Sequence, residues 1–309
     1  MKITLTKIIW SILIILVITL ILFSIFCFCK DSFENETEPS LIIGGCARDC
    51  GKYLPKVLNK IKELSNNKKV YFIFYENDSN DNTNQLLQNF VNEVNEVNEV
   101  NESQPSNQSN QSNQSNQGHK AHLITEKLNI KRRTPRISHC RNQILKHIMD
   151  NNLHKKFKYF INMDLDNVNE NLNVESVNIC LNESTKWDIA SINQIGRYYD
   201  LWALRTYNKD NNCWHNDNCR KYTINKWFGN IPELRKFKKI PIKTDYVPVI
   251  SAFGGLTIYK TKLLKNSWYS GEDKNNKDVD DCEHVNFHES ILNNFPKTKF
   301  FIIPYMTND

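Results

Sequence analysis

The sequence predicts an α/β protein in which a mostly parallel sheet is flanked by helices, and two observations support this prediction. Short apolar segments typical of buried strands occur at 41–43, 70–75, 121–124 and 159–163. Longer segments whose apolar residues recur at helical spacing separate these strands. Strands that alternate with helices in this way are usually joined into a parallel sheet with helices on both faces.

The segments between the strands predict amphipathic helices, because their apolar residues recur every three or four positions. Thr83 can cap the second of these helices. The three apolar stripes are Leu54, Val57, Leu58, Ile61 and Leu64; Leu86, Leu87 and Phe90; and Ile137, Cys140, Ile144, Leu145 and Ile148. Each helix therefore has one face that can pack against the sheet.

The N-terminus predicts a membrane anchor. Residues 8–29 are apolar apart from three hydroxyl side chains, and a helix of this length can cross a bilayer core. Lys2 and Lys7 precede the segment, and the positive-inside bias therefore places residues 1–7 in the cytosol. A cleaved signal peptide is the alternative. The prediction is a single-pass type II membrane protein with residues 30–40 as a stem and the remaining domain, 41–309, in the lumen of the Golgi or endoplasmic reticulum.

Residues 91–118 consist largely of VNE and then SNQ triplets. Such repeats lack an apolar face, which predicts a disordered low-complexity insertion in the domain, although the VNE part could extend a helix. Glycosylation sequons would mark a lumenal glycoprotein if they are used. They begin at Asn35, Asn101, Asn107, Asn110, Asn113 and Asn182.

Charge and cysteine content limit the partners and the compartment. The net charge of +6 is spread along the chain without a basic block interleaved with aromatic residues, so nucleic acid is not an expected partner. Two of the nine cysteines fall within the predicted anchor, which leaves an odd number in the domain. Cys213 and Cys219 are the best local candidates for a disulfide, and reduced, buried cysteines are the alternative.

Two carboxylates follow the predicted strand at 159–163. Asp164 and Asp166 are one residue apart at its carboxyl end, where open α/β sheets bind their ligands. Their spacing allows both to bind one hard cation such as Mn²⁺ or Mg²⁺. A solvated turn is the alternative for so short a motif. Other polar segments at neighbouring strand ends favour the metal site.

Two of these segments suit a nucleotide or a phosphate. Glu76, Asp78 and Asp81 follow the strand at 70–75 and open a helix, although an Asx-rich turn would need the same residues. Arg136 and Arg141 begin the helix after the third strand and could neutralise a diphosphate. A solvated basic helix start is the alternative there.

The order of these motifs resembles the donor half of a GT-A glycosyltransferase. It is most similar to the cryptococcal capsule-associated mannosyltransferase family, which pairs an ENxSxDxT turn with an RN-containing helix. The corresponding segments here are YENDSNDNT at 75–83, RISHCRN at 136–142 and MDLDN at 163–167. Further segments fit at 199–205 (YDLWALR), 249–256 (VISAFGGL) and 281–285 (DCEHV). The resemblance covers residues 41–305.

The resemblance implies a metal-dependent transferase that uses a nucleoside-diphosphate sugar, possibly GDP-mannose, and a glycan or glycoprotein acceptor. Glu283 and Asp200 would be the catalytic carboxylates, with Glu283 as the base for the acceptor hydroxyl in an inverting reaction or as an orienting residue in a retaining one. His284 or His288 would complete the metal shell, and a structural or exposed histidine is the alternative for each. Gly254 and Gly255 would let the backbone approach the sugar, although a turn or bulge would also need glycine. The residues that would contact the acceptor are Tyr199, Trp202 and Arg205.

Two other function classes remain open. An acidic cluster of this kind could serve a metal-dependent phosphoesterase, although such enzymes usually gather more His and Asp ligands around two metals. A membrane-tethered carbohydrate-binding protein without catalysis is the other alternative. Hydrolysis of a sugar nucleotide in vitro would separate the binding protein from the two kinds of enzyme.

Overall fold

The computed structural model describes residues 39–103, 118–207 and 239–308. The predicted anchor, the first part of the predicted stem and the Cys213–Cys219 pair lie outside these ranges. Across the described ranges, no helix combines the length and the apolar character that a membrane span needs.

Eight strands form one sheet in the order β3-β2-β1-β4-β7-β5-β8-β6. Among these strands of the described residues, six point the same way, while β6 and β7 run antiparallel to their neighbours. The prediction of an α/β fold with a mostly parallel sheet is confirmed. The strands are β1 (Leu41–Ala47), β2 (Val70–Asn77), β3 (Lys120–Glu126), β4 (Tyr159–Met163), β5 (Ile189–Asn193), β6 (Val247–Pro248), β7 (Leu256–Lys260) and β8 (Phe300–Thr307).

Helices cover both faces of the sheet. They are α1 (Leu54–Ser65), α2 (Thr83–Ser103), α3 (Arg133–Asp150), α4 (Leu153–Lys156), α5 (Val174–Asn182) and α6 (Glu283–Asn294). One face packs against α1, α2 and α5, and the other against α3 and α6. Alternate residues of β1 divide between the two cores, since Leu41 and Ile43 face the first and Ile42 faces the second.

The centre of the sheet is packed too closely for side chains at two positions of β1. A Cβ on Gly44 would lie 2.5 Å from the carbonyl oxygen of Ile73 in β2. A Cβ on Gly45 would lie 2.1 Å from that of Met163 in β4. Glycine therefore lets β1 pair with both neighbours up to their carboxyl ends, where the polar segments begin.

The predicted insertion at 91–118 differs from the structure in its first part. Helix α2 continues through the VNE triplets to Ser103. Val91 is buried in the core, and the Asn95 amide exchanges hydrogen bonds of 3.1 and 3.0 Å with the backbone of Ala121 in β3. A repeat of three residues is close enough to the helical period of 3.6 that Val91 and Val94 extend the apolar stripe of α2. The SNQ triplets lie outside the described residues.

Candidate active site

A cleft of about 400 Å³ opens at the carboxyl ends of β1, β2 and β4. The first turns of α3 and α6 close it from the other side. This is the edge of an open α/β sheet at which ligands bind. The site residues predicted from the sequence that line it are Arg136, Arg141, Asp164, Asp166, Tyr199, Asp200, Trp202, Glu283 and His284.

Asp164 and Asp166 both reach the cleft, as the sequence predicts. Oδ1 of Asp164 accepts a hydrogen bond of 3.1 Å from Arg141, and Oδ1 of Asp166 accepts one of 3.2 Å from the Val168 backbone. The second carboxylate oxygen of each makes no hydrogen bond within the described part of the chain. Burial raises the pKa of Asp164 to about 7, and the negative charges of Asp166 and Asp200 add to the effect, against the lowering by Arg141.

These carboxylates fit a divalent cation. The unused oxygens of Asp164 and Asp166 are hard ligands, and the mutual repulsion of the acids is what a cation would relieve. Within the described residues, no group of three His, Cys, Asp or Glu side chains is arranged to hold an ion by itself. A Mg²⁺-type ion is commonly bound by one or two carboxylates, water and substrate phosphates, so two protein ligands are sufficient.

The floor of the cleft, which we define as Arg141, Glu283, His284 and Asp164, is a buried charge network. The Arg141 guanidinium forms ion pairs with Glu283 and Asp164 and donates a hydrogen bond of 2.6 Å to Nε2 of His284. It also lies 5.0 Å from the centre of the Phe253 ring. Arg141 is therefore occupied by protein groups and is not placed to bind a diphosphate directly, in contrast to the sequence-based prediction.

The structure separates the two predicted histidine ligands. His284 lines the cleft and stacks on Phe253 at 3.7 Å, but its Nε2 faces the Arg141 donor, so the hydrogen-bond network assigns the ring proton to Nδ1. Burial and Arg141 lower the pKa of His284 well below its usual value. His284 is therefore a neutral acceptor for Arg141 within the floor, and its Nδ1 has no hydrogen-bond partner among the described residues.

His288 does not reach the cleft. It is fully buried on the next turn of α6, where its ring nitrogens are hydrogen-bonded to the Ser251 and Tyr259 hydroxyls at 2.8 Å each. Both nitrogens are thus in use, which corrects the prediction of a metal ligand. The spacing of four residues puts His284 and His288 on one face of α6, but only the first turn of that helix borders the cleft.

The two predicted catalytic acids differ in how they are held. Glu283 is the first residue of α6, is buried, and pairs with Arg141. Asp200 accepts backbone hydrogen bonds from Ala203 at 3.3 Å and Gly254 at 3.2 Å. Burial raises the pKa of Asp200 to about 6. Asp200 is therefore, together with Asp164, a carboxylate of the cleft that can take up a proton near neutral pH.

The rim of the cleft, which we define as Arg48, Arg133 and Arg136, carries three guanidinium groups. Arg133 and Arg136 form no ion pair within the described residues, and Arg48 pairs with the exposed Asp49 at 3.5 Å. Burial and the positive charges of Arg48 and Arg133 lower the pKa of Arg136. Cations that repel one another at the mouth of a cleft favour an anionic ligand such as a diphosphate.

The acidic residues at the end of β2 and in the loop that follows it hold that loop in shape and do not line the cleft. Glu76 accepts hydrogen bonds from the Ser79 backbone at 2.9 Å and the Asn84 amide at 2.8 Å. Asp81 accepts from the backbones of Gly51 and Thr83, and Asp78 accepts from that of Leu128. This matches the alternative of an Asx-rich turn that opens a helix. The neighbouring Asn77 lines the cleft instead.

Gly254 and Gly255 also have structural roles. Their φ angles are +67° and +91°, and a Cβ on Gly255 would lie 2.7 Å from the Val168 side chain. Neither glycine lines the cleft, so close packing explains them, as in the alternative of a turn.

Among the predicted acceptor-binding residues, Tyr199 is half exposed and lines the cleft together with Trp202. Arg205 lies behind them, buried, and donates to the carbonyls of Trp202 and Leu204 at 2.8 and 2.9 Å. It therefore holds the segment that presents the two aromatic rings.

Among the amide and charged side chains that line the cleft, Arg48, Asn77 and Arg133 were not predicted as site residues from the sequence. Arg48 directly follows β1, and Asn77 ends β2. The rule that ligands bind at the carboxyl ends of parallel strands, applied to every strand, would have indicated both. Arg133 begins α3, in the basic segment that supplied Arg136.

The comparison with protein families identifies the functional class of this protein. A family model described as Cryptococcal mannosyltransferase 1 matches residues 43–290, which is more than half of the 309 residues. The chain belongs to the Cryptococcal mannosyltransferase 1 family. The predicted family is therefore confirmed, and with it the predicted class, a glycosyltransferase. No curated protein matches the chain significantly.

Solved structures with a distant likeness to this member of the Cryptococcal mannosyltransferase 1 family include S. aureus TarS 1–349 in complex with UDP-GlcNAc. That match has 13% identity and a TM-score of 0.44 and covers 85% of this chain and 55% of that chain. Mannosyltransferase PcManGT from Pyrobaculum calidifontis, in complex with GDP-Man and Mn²⁺, has 10% identity, a TM-score of 0.42, and coverage of 86% and 55%. The chain thus spans about half the length of these proteins.

Proposed function

We propose that this protein is a divalent-metal-dependent glycosyltransferase with a GT-A-like fold. It transfers a sugar, possibly mannose, from a nucleoside-diphosphate sugar to a glycan or glycoprotein acceptor. The observation that carries the proposal is one cleft with two carboxylates, Asp164 and Asp166, at a strand end and three arginines at its rim. Family membership supports the reaction class.

Each side of the cleft has its own role in this proposal. Asp164 and Asp166 would hold Mn²⁺ or Mg²⁺, and the ion would offset the negative charge that develops on the leaving diphosphate. Arg133 and Arg136 bind the phosphate oxygens, because guanidinium groups form charge-assisted hydrogen bonds with them. Arg48 adds a third positive charge at the mouth.

The acids and the aromatic rings handle the sugar and the acceptor. Asp200 accepts a hydrogen bond from a substrate hydroxyl in the cleft, or takes up its proton. The pKa of Asp200, near 6, suits this role. Glu283 keeps Arg141 in place and thereby fixes Asp164. Tyr199 and Trp202 offer the flat apolar surfaces on which sugar rings pack.

We also propose the membrane setting predicted from the sequence. In it, residues 8–29 anchor the chain as a type II membrane protein with the catalytic domain in the lumen of the Golgi or endoplasmic reticulum. The apolar run and the lysines before it support this. Protease protection in microsomes would check it, because a lumenal domain is digested only after detergent is added.

The test is a donor screen with the full chain in detergent. Release of nucleotide from GDP- and UDP-sugars is followed with Mn²⁺ and with chelator, with and without acceptor glycans. We expect metal-dependent release from one donor. We also expect Asp166→Asn to reduce it at least about 100-fold, because the amide is a poor ligand for a hard cation.

The control variant is Asp150→Asn at the exposed end of α3, where Lys146 pairs with the carboxylate. It removes the same charge and is expected to leave the rate unchanged. Asn at position 166 can still accept the Val168 hydrogen bond, so the local turn is kept. Cleavage of phosphoesters instead of sugar nucleotides would support the phosphoesterase. Donor binding without release under all conditions would support a binding protein.

A further inference from the structure

A network of buried side-chain amides lies behind the metal-binding carboxylates. Asn169 is fully buried, and its Nδ2 donates hydrogen bonds of 2.7 Å to the Asp164 carbonyl and 2.8 Å to the Gly255 carbonyl. The Asp164 backbone N–H donates to the same Gly255 carbonyl at 2.8 Å. Asn169 thus clamps the main chain of Asp164 onto Gly255, the residue that precedes β7.

Two further amides extend the network. Nδ2 of Asn308 donates to Oδ1 of Asn169 at 3.0 Å and to the Gly254 carbonyl at 2.9 Å. Nε2 of Gln194 donates to Oδ1 of Asn308 at 3.2 Å and to the Gly254 carbonyl at 2.9 Å. All three amides are buried, and each donates two hydrogen bonds. The donors therefore run in one direction, from Gln194 to Asp164.

The same network also touches the backbone segments that hold Asp166 and Asp200. Asn169 ends a 3₁₀ turn at whose start the Asp166 side chain accepts a hydrogen bond of 3.2 Å from the Val168 N–H. The Gly254 backbone, whose carbonyl the network holds, donates its own N–H to Asp200 at 3.2 Å. Moving the network would therefore shift three carboxylates of the cleft at once.

Burying three side-chain amides is unfavourable unless each is hydrogen-bonded. Apolar side chains of similar size would fill the same space without needing hydrogen-bond partners at fixed distances and angles. Hydrogen bonds differ from apolar packing in fixing direction as well as distance. Since the bonds end on the main chain of Asp164, what they fix is the position of the metal-binding acid.

We propose that Asn169, supported by Asn308 and Gln194, is a positioning residue that sets the divalent-cation affinity of Asp164 and Asp166. The inference rests on the proposed metal-dependent function. Groups that orient metal ligands commonly change metal affinity by about 10- to 100-fold when they are removed.

The chain offers a matched control in Asn193 at the end of β5. Asn193 is also fully buried, and its Nδ2 donates to two backbone carbonyls, Ile240 at 3.0 Å and Pro304 at 2.9 Å. It contacts neither carboxylate. Asn169→Leu and Asn193→Leu therefore remove the same chemistry at the same depth, and only the first releases Asp164.

The experiment titrates Mn²⁺ into the full chain and follows the electron paramagnetic resonance signal of free Mn²⁺. Titrations are made with Mn²⁺ alone and with added GDP or UDP, each corrected with a protein-free blank. We expect Asn169→Leu to raise the Kd for Mn²⁺ at least about tenfold. Asn193→Leu is expected to stay within about twofold of wild type. Urea unfolding of both variants checks that their losses of stability are similar.

The outcomes separate this inference from the proposed function. If wild type binds Mn²⁺ and folded Asn169→Leu binds it equally well, the positioning role is wrong and the metal site stands. If wild type binds no Mn²⁺ in any titration, the metal-dependent function fails and the inference fails with it. Equal weakening in both Leu variants would assign the effect to general loss of packing and would also overturn the inference.

A second variant covers the case in which Asn169→Leu does not fold. Asn308→Ala removes the donors to Asn169 and Gly254 but leaves the bonds from Asn169 to Asp164. We expect a smaller rise in the Kd for Mn²⁺, about threefold, with normal circular dichroism. An unchanged Kd in folded Asn308→Ala, with Asn169→Leu unfolded, would contradict the network.

Discussion

The floor and the rim of the cleft carry their charges in opposite ways. In the floor, Arg141 is buried and paired with Glu283 and Asp164, so its charge is neutralised by the protein. At the rim, Arg133 and Arg136 have no ion-pair partner within the described residues. A buried pair fixes geometry, whereas unpaired cations at a mouth remain available to a ligand. The difference divides the arginines into one that builds the site and others that we propose bind the donor.

Breaking the floor should have the largest effect. Arg141→Met leaves Glu283 and Asp164 buried without a counter-charge, which typically destabilises a protein by about 3–5 kcal/mol. Urea unfolding of wild type and variant measures the loss. Removing the facing charge as well, in Arg141→Met with Glu283→Gln, should restore part of the stability.

Arg132 provides the matched comparison for Arg141. It also pairs with two acids, Glu272 and Asp280, but the Arg132 and Glu272 side chains are 36% and 35% exposed. Because exposed ion pairs contribute little, Arg132→Met should lose less than about 1 kcal/mol. Equal losses in the two variants would remove the distinction between the buried floor and exposed ion pairs outside the cleft.

Changing the rim should affect donor binding and leave stability nearly unchanged. Arg136→Gln removes one charge-assisted phosphate contact, worth about 1.5–3 kcal/mol, so the donor KM should rise about tenfold or more. The effect should shrink as salt is added, since the rim is open to solvent. Steady-state kinetics at two ionic strengths provides the measurement.

Lys131→Gln controls for net charge, because Lys131 is exposed in the same basic segment and does not line the cleft. Its KM should stay near that of wild type. A rise as large as that of Arg136→Gln would mean that the general positive field, and not a contact, attracts the donor.

The first half of the fold was predictable because its signals are local. Strands β1 to β4 and helices α1 to α3 each have an apolar pattern of their own, and Asp164 and Asp166 directly follow one of those strands. The order in which β7 is inserted between β4 and β5 depends on pairing between distant segments, which no local pattern contains.

Site residues on helices were harder to assign than those at strand ends. Arg136 directly precedes an apolar stripe of α3, and Arg141 lies within the same stripe. Arg136 nevertheless lies at the rim and Arg141 in the floor. His284 and His288 share a helix face. However, β7 and the segment before it supply hydrogen-bond partners for His288 only. Which partner a polar side chain meets is decided by tertiary packing, and the spacing of residues along a helix does not contain that information.

A carboxylate remote from the cleft provides the smallest and most specific contrast. Glu183, just after α5, accepts hydrogen bonds from Lys186 and from the hydroxyls of Tyr246 and Tyr305. These donors lower the pKa of Glu183 from 4.5 to about 2, with Lys186 as the largest cause. Asp164 shows the opposite, because burial among other acids raises its pKa to about 7. Hydrogen-bond donors stabilise the charged carboxylate of Glu183, whereas burial among other acids destabilises the charged carboxylate of Asp164.

The pH dependence of stability follows from the direction of the Glu183 shift. Between about pH 2 and 4.5 the folded state binds fewer protons at Glu183 than the unfolded state, so its contribution is complete above 4.5 and is lost as pH falls towards 2. Glu183→Gln keeps an acceptor but no charge, and it should lose about 1 kcal/mol at pH 7. Urea midpoints at pH 7, 4 and 3 should show this difference shrinking as pH falls. The exposed Glu96→Gln serves as control, and a gap that stays constant with pH would show that shape, and not charge, links Glu183 to its tyrosines.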